Sequence, residues 1–149
     1  MTVAGEVRLY MALQKAAHAF KKRADLALIE TAGLTTAQAA VMAAIRNKSG
    51  ATQRSVANAL GLNESAVTAM IRKLMARKLI ERRRSDRDAR AWSLELSEEG
   101  EKLLAATGKP FGALNQALDE SLGPDAIRQL SAKLDAITLA LQEVNTEAG

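Results

Sequence analysis

The sequence has no cysteine, which excludes a disulfide framework, thiolate zinc sites, iron–sulfur clusters, a cysteine nucleophile and any thiol redox switch. Prolines number two and aromatic residues make up 3% of the chain. With hydrophobic residues, Ala and Leu prominent among them, at 48%, this is the composition of a mainly helical protein. The longest uninterrupted apolar run, Ala39 to Ile45, is far short of the roughly 18 residues that suggest a membrane span. No basic-then-apolar export signal opens the chain, so a cytoplasmic protein away from membranes is the expectation. A single histidine, with no His/Asp/Glu cluster at metal-ligand spacing and no Gly-rich phosphate loop, argues against a metal, a cofactor or an enzyme.

What is present is one domain's worth of chain, 149 residues, read as a single unit over 1–149 that can bury a core unaided. Its net charge of +4 conceals an uneven distribution. Residues 72–90 hold nine Lys/Arg against three Asp/Glu, whereas residues 95–149 hold four against ten. A dense basic block followed by an acidic third points to a polyanionic partner rather than to general stickiness. A membrane surface fits poorly, because the block lacks an apolar face rich in Trp, Phe and Leu.

Tyr10, Leu13, Ala17, Phe20, Ala24 and Ala27 recur at steps of three and four, which predicts a helix over about 6–30. Gly33 ends it, and Thr35 with Gln38 has the form of a capping box for a second helix over about 36–47. Thr52 caps a third, about 53–60, closed by Gly61. Asn63 caps a fourth, which runs to about Arg77 with Val67, Ile71 and Leu74 on its core face. The period then becomes alternating: Ile80 to Arg84 and the stretch up to Leu96 pair as a hairpin, with 85–90 as its projecting tip and Trp92 as its anchor on the lobe. Ser97 caps a fifth helix that Gly108 and Pro110 kink or stop. Gly123-Pro124 opens a last helix whose Ile127, Leu130, Leu134, Ile137, Leu141 and Val144 form a coiled-coil seam. Both terminal stripes suit packing against a second subunit.

Three short helices with a Gly turn between the second and third, followed by a basic hairpin, describe a winged helix-turn-helix in a mainly α protein. The helix after the turn would meet base edges in the major groove, with Ser65, Thr68, Ala69, Arg72 and Lys73 as candidates. Thr52, Gln53 and Arg54 on the preceding helix, and Arg83 and Arg87 on the hairpin, are candidates for contacting the DNA backbone.

The sequence resembles the MarR (multiple antibiotic resistance regulator) family of transcription regulators. The resemblance is carried by Leu34-Thr35-Thr36-Ala37-Gln38, by the run from Thr52 to Thr68, by Leu79-Ile80-Glu81-Arg82 with Asp88-Ala89-Arg90, and by Leu96-Ser97-Glu98-Glu99-Gly100. It implies a DNA-binding lobe over 34–97 and a helical dimerisation region over 5–30 and 98–146. The implied protein is a homodimeric repressor on a pseudo-palindromic operator in double-stranded DNA, released by a small aromatic or anionic effector. The resemblance also implies that Arg90 reaches the minor groove with Asp88 orienting it, and that the effector lies where the first helix meets the lobe, with His18 as a candidate contact. Lys78 stands where the family usually has Gly, so a different cap for the fourth helix is expected. The competing reading is a winged-helix scaffold for protein interaction, which predicts no steep salt dependence.

Overall fold

The computed structural model of the chain describes residues 3–84 and 92–144. The first helix, α1 (Val3–Ala32), ends where Gly33 takes a φ of 61°. Thr35 then starts α2 (Thr36–Arg46) with the capping box read from the sequence: its side chain accepts from the Gln38 amide while Gln38 returns a bond to the Thr35 amide. The corner between the two helices is tied from the α1 side. Asp25 accepts from both the Thr36 amide, at 2.7 Å, and its hydroxyl, at 2.6 Å, and from Lys21 Nζ, at 2.6 Å.

Partial burial pushes the Asp25 carboxyl up, but the bonds from Lys21 and Thr36 outweigh it and hold the group at about 2. Because the folded value lies below the ordinary one, the stabilisation is complete above about pH 4 and is lost as pH falls through about 2. Asp25→Ala should therefore cost about 2 kcal/mol near neutrality. Urea unfolding of both proteins checks this: the gap should roughly halve by about pH 3, and a gap unchanged there would mean that the carboxylate's charge contributes nothing.

Two further helices follow, α3 (Gln53–Leu60) and α4 (Glu64–Ala76), and then the strands β1 (Ile80–Arg84) and β2 (Trp92–Leu96), which pair antiparallel with Ile80 opposite Leu96 and Arg84 opposite Trp92. The end of α4 corrects the sequence-based expectation about Lys78. Leu79 N–H reaches the Leu74 carbonyl at 3.0 Å and Lys78 N–H the Met75 carbonyl at 2.9 Å, the double bond pattern that normally has Gly in the left-handed position. Lys78 occupies that position with a φ of 59°. The cap is the usual one, and the lysine bears a strain of about 1–2 kcal/mol.

Ser97 caps α5 (Glu98–Ala106), whose first turn carries Glu98, Glu99 and Glu101 where the helix dipole favours acids. The choice between kink and stop is resolved as a stop. Thr107 turns its hydroxyl onto the Leu104 carbonyl at 2.6 Å, and α6 (Gly108–Leu122) starts afresh with Pro110 in its first turn, where a missing amide costs no bond. Gly123, with a φ of 84°, separates it from α7 (Pro124–Val144).

The chain divides into two compact units, Met1–Pro110 and Phe111–Gly149. In the first, Leu28, Leu34, Met42, Ile71, Leu74, Leu79 and Ile80 are fully buried around α2, with Leu94 and Leu104 closing the core. This core anchors α3, α4 and the hairpin as one winged helix-turn-helix. In the second unit no residue of α6 or α7 is buried. Among the described residues no single helix is long and apolar enough to cross a membrane.

Candidate nucleic-acid interface

The geometry of α3 and α4 is set by local chemistry. Thr52 caps α3 reciprocally with Ser55, and Gly61 takes the left-handed turn with a φ of 61° that starts the connection to α4. Asn63 Oδ1 accepts from the Ser65 amide at 3.1 Å and its hydroxyl at 3.0 Å, fixing the first turn of α4. Val67, Ile71 and Leu74 enter the core. Ser65, Ala69 and Arg72, spaced by four and three, form one exposed stripe, with exposed Lys73 beside it. Small residues lie at the helix start and cations toward its end, an arrangement that lets the backbone approach a polyanion closely.

Thr68 lies half-buried beside this stripe. Its hydroxyl is placed to donate to the Glu64 carbonyl at 2.8 Å and to Gln53 Oε1 at 3.0 Å. Two residues that sequence reasoning nominated separately are therefore one hydrogen-bonded pair bridging α3 and α4. Thr52 and Arg54 are exposed, and Arg54 stands 4.0 Å from Glu64, a spacing that holds neither strongly.

The hairpin separates its charges by face, because residues directly opposite in an antiparallel pair share a side. One side carries Glu81, Arg83, Ser93 and Glu95, and there Arg83 pairs with Glu95 at 3.1 Å. The other carries Ile80, Arg82 and Arg84 opposite Leu96, Leu94 and Trp92. Arg83 is thus a hairpin cation already committed to an acid, whereas sequence reading counted Arg82 and Arg84 in the basic block without giving either a role of its own. Trp92 is not the anchor it was expected to be. It is 51% exposed, with the Arg84 guanidinium 5.2 Å from its ring centroid; Leu94, two residues further along the same face, is the buried anchor. Leu94 N–H also bonds the Ala51 carbonyl at 2.8 Å, which fixes the hairpin against the residue leading into α3. Arg87, Asp88 and Arg90, the hairpin-tip candidates, lie outside the described residues.

His18 is exposed on α1, where it lines a shallow groove with Lys21, Lys22, Asp25, Leu26 and Ile29. Arg77, missed by sequence reasoning, donates from Nη1 to the Gly33 carbonyl at 2.8 Å across 44 residues. No local pattern could have announced it. The remaining balance is strongly positive: residues 72–84 hold seven Lys/Arg and one acid, Glu81.

Residues 32–91 match the sequence profile of the MarR family. None of the curated proteins matches the chain significantly. Among solved structures, the chain is similar to a transcriptional repressor, CouR, bound to a 23-mer DNA duplex, at 29% identity and a TM-score of 0.80, over 93% of this chain and 99% of that one. It is also similar to the S. aureus MepR–DNA complex, at 26% identity and a TM-score of 0.77, over 87% of this chain and 94% of that one. A MarR/EmrR family transcriptional regulator from Acinetobacter sp. ADP1 shares the fold at 18% identity, with a TM-score of 0.83, over 93% of this chain and 97% of that one. The chain thus resembles the MarR family over residues 32–91, and it shares the fold of these structures along most of its length.

Proposed function

We propose that the chain is a DNA-binding transcriptional regulator, a homodimeric repressor that places α4 in the major groove of a pseudo-palindromic operator. One observation carries this reading: the Ser65–Ala69–Arg72 stripe is exposed on a helix whose opposite side is locked into the core, beside a hairpin that, among its described residues, puts Arg82 and Arg84 on a face without acids. Two similar structures, CouR and MepR, are DNA complexes, which supports the same assignment. In this proposal the 34–97 lobe binds DNA, with Ser65, Thr68, Ala69, Arg72 and Lys73 toward base edges and Thr52, Gln53, Arg54, Arg83, Arg87, Asp88 and Arg90 around them. The helical parts, 5–30 and 98–146, join the two copies. The α1 groove beside His18, with Leu26 and Ile29 as its apolar surface and Lys22 as the cation beside the Lys21–Asp25 pair, suits a small aromatic acid as the releasing effector. No catalytic role is assigned.

The test is a salt titration on a duplex chosen by selection from a random pool. With about six phosphates neutralised, the log–log slope of affinity against salt should be near −5, and half-sites should lie about 34 Å apart. Arg72→Ala should weaken the selected site by about 1–3 kcal/mol and relax preference at one base position. Adding benzoate to the same titration should weaken operator binding if α1 carries the effector. A slope near zero would replace this reading with a scaffold for protein interaction.

A further inference from the structure

We infer that Arg82, Arg84, Trp92 and Gln53 form a clamp for the DNA sugar–phosphate backbone on the side of the hairpin that faces α3, in which Trp92 is the positioning residue that holds Arg84. The inference rests on the DNA-binding reading above and adds a site that sequence reasoning did not assign as a unit. Gln53, Arg82, Trp92 and Leu94 line one groove between the hairpin and the start of α3. Its walls are held in place independently of any ligand, β2 by the Leu94–Ala51 backbone bond and Gln53 by Thr68.

The chemistry of the groove is one-sided. Glu81 and Glu95 project from the opposite face of the hairpin, where Glu95 already pairs with Arg83, so neither acid faces Arg82 or Arg84 across the strands. Gln53 is hydrogen-bonded to the Thr68 hydroxyl, and the rest of its side-chain amide is a polar group on the groove. Arg82 and the Gln53 amide therefore line the groove beside an exposed indole and the edge of Leu94, with the Arg84 guanidinium over that indole. That combination fits an anion carried on an apolar, ring-shaped body, as a phosphodiester is carried on deoxyribose.

An exposed indole beneath a guanidinium also has a specific physical effect. The negative face of the ring orients the cation, and the restricted guanidinium loses less freedom when it docks on a phosphate. Removing the ring should thus weaken DNA binding without removing any charge.

The experiment uses the full chain with a fluorescein-labelled, mixed-sequence duplex of about 30 base pairs at several salt concentrations. Trp92 is the only tryptophan, so intrinsic emission reports this site alone. Duplex binding should change that emission. Trp92→Leu should bind roughly two- to fivefold more weakly, with Trp92→Phe in between. Arg84→Ala should reduce the size of the salt slope by about 0.9, and Trp92→Leu should add nothing in that background. Far-ultraviolet circular dichroism matching the wild type keeps these comparisons valid. Binding with Trp92 emission unmoved, or with the two substitutions additive, would overturn the clamp while leaving DNA binding intact. The same emission change with inorganic phosphate alone at matched ionic strength would overturn it in favour of a generic anion site. A wild-type chain without salt-dependent duplex binding would remove the DNA reading and the clamp together.

Discussion

Leu134→Glu combined with Leu141→Glu should convert the protein to a monomer or render it insoluble. The expectation follows from helices that have no interior of their own. No residue of α6 or α7 is buried, and Leu130, Leu134, Leu139, Leu141 and Val144 all present apolar surface. Helical propensity alone seldom holds a segment in water, and most helices owe their stability to a packed face. At the other end of the chain Val7, Leu9, Tyr10 and Met11 are exposed on α1, so apolar stripes lie on both terminal helices. In the proposed homodimer each leucine buried contributes about 1.5–3 kcal/mol. Two carboxylates per copy remove four such contributions and add unpaired charge, enough to carry a nanomolar dimer out of the measurable range. Sedimentation velocity decides the matter. A double variant that remains a stable dimer would mean that copies of the chain join through another surface.

Gly100→Ala carries the other large expected effect, through the backbone. Ser97 N–H bonds the Leu79 carbonyl at 3.0 Å and Ser97 Oγ donates to the Lys78 carbonyl at 2.7 Å, seating the start of α5 on the segment that links α4 to β1. Gly100 is buried at this seat. A Cβ there would lie far inside van der Waals contact with the Leu79 carbonyl oxygen. Neither side of the clash is a flexible side chain, so α5 or the Leu79 peptide must move. The expected loss is about 3 kcal/mol, which urea unfolding followed by circular dichroism would report. A variant within about 0.5 kcal/mol of the wild type would mean that the seat can shift freely.

Gly100 also marks the limit of what one sequence discloses. The Leu96–Gly100 run was visible as part of a family resemblance, yet the reason for the glycine lies in a carbonyl 21 residues earlier. Local chemistry was legible: the Thr35–Gln38 box, the Thr52 and Asn63 caps, the Gly61 turn and the full extent of α3 all arise within a few residues. The core face of α4 was legible too, because Val67, Ile71 and Leu74 follow the helical period. What escaped was decided by distant partners. Trp92 was read as an anchor from the alternation of its strand, but β2 extends beyond the core and its outer end lies beside Arg84. Lys78 was read as a change of cap because glycine is the usual occupant; the bonds to Leu74 and Met75 impose the left-handed geometry regardless of residue. The Thr68–Gln53 bond spans 15 residues and the Asp25–Thr36 bonds span 11, separations at which a sequence pattern is silent.

The Arg77–Gly33 hydrogen bond ties the end of α1 to the end of α4. Gly33 offers the carbonyl just past the last turn of α1, and Arg77 is the residue on which α4 ends. A displacement of this part of α1 beyond the reach of the Arg77 side chain breaks that solvent-exposed bond, at a cost of about 0.5–1.5 kcal/mol. On the other side of the same corner Asp25 holds the start of α2, so the corner is braced from both α2 and α4. The exposed stripe that begins at Ser65 therefore has its far end tied by a hydrogen bond to the first helix of the chain.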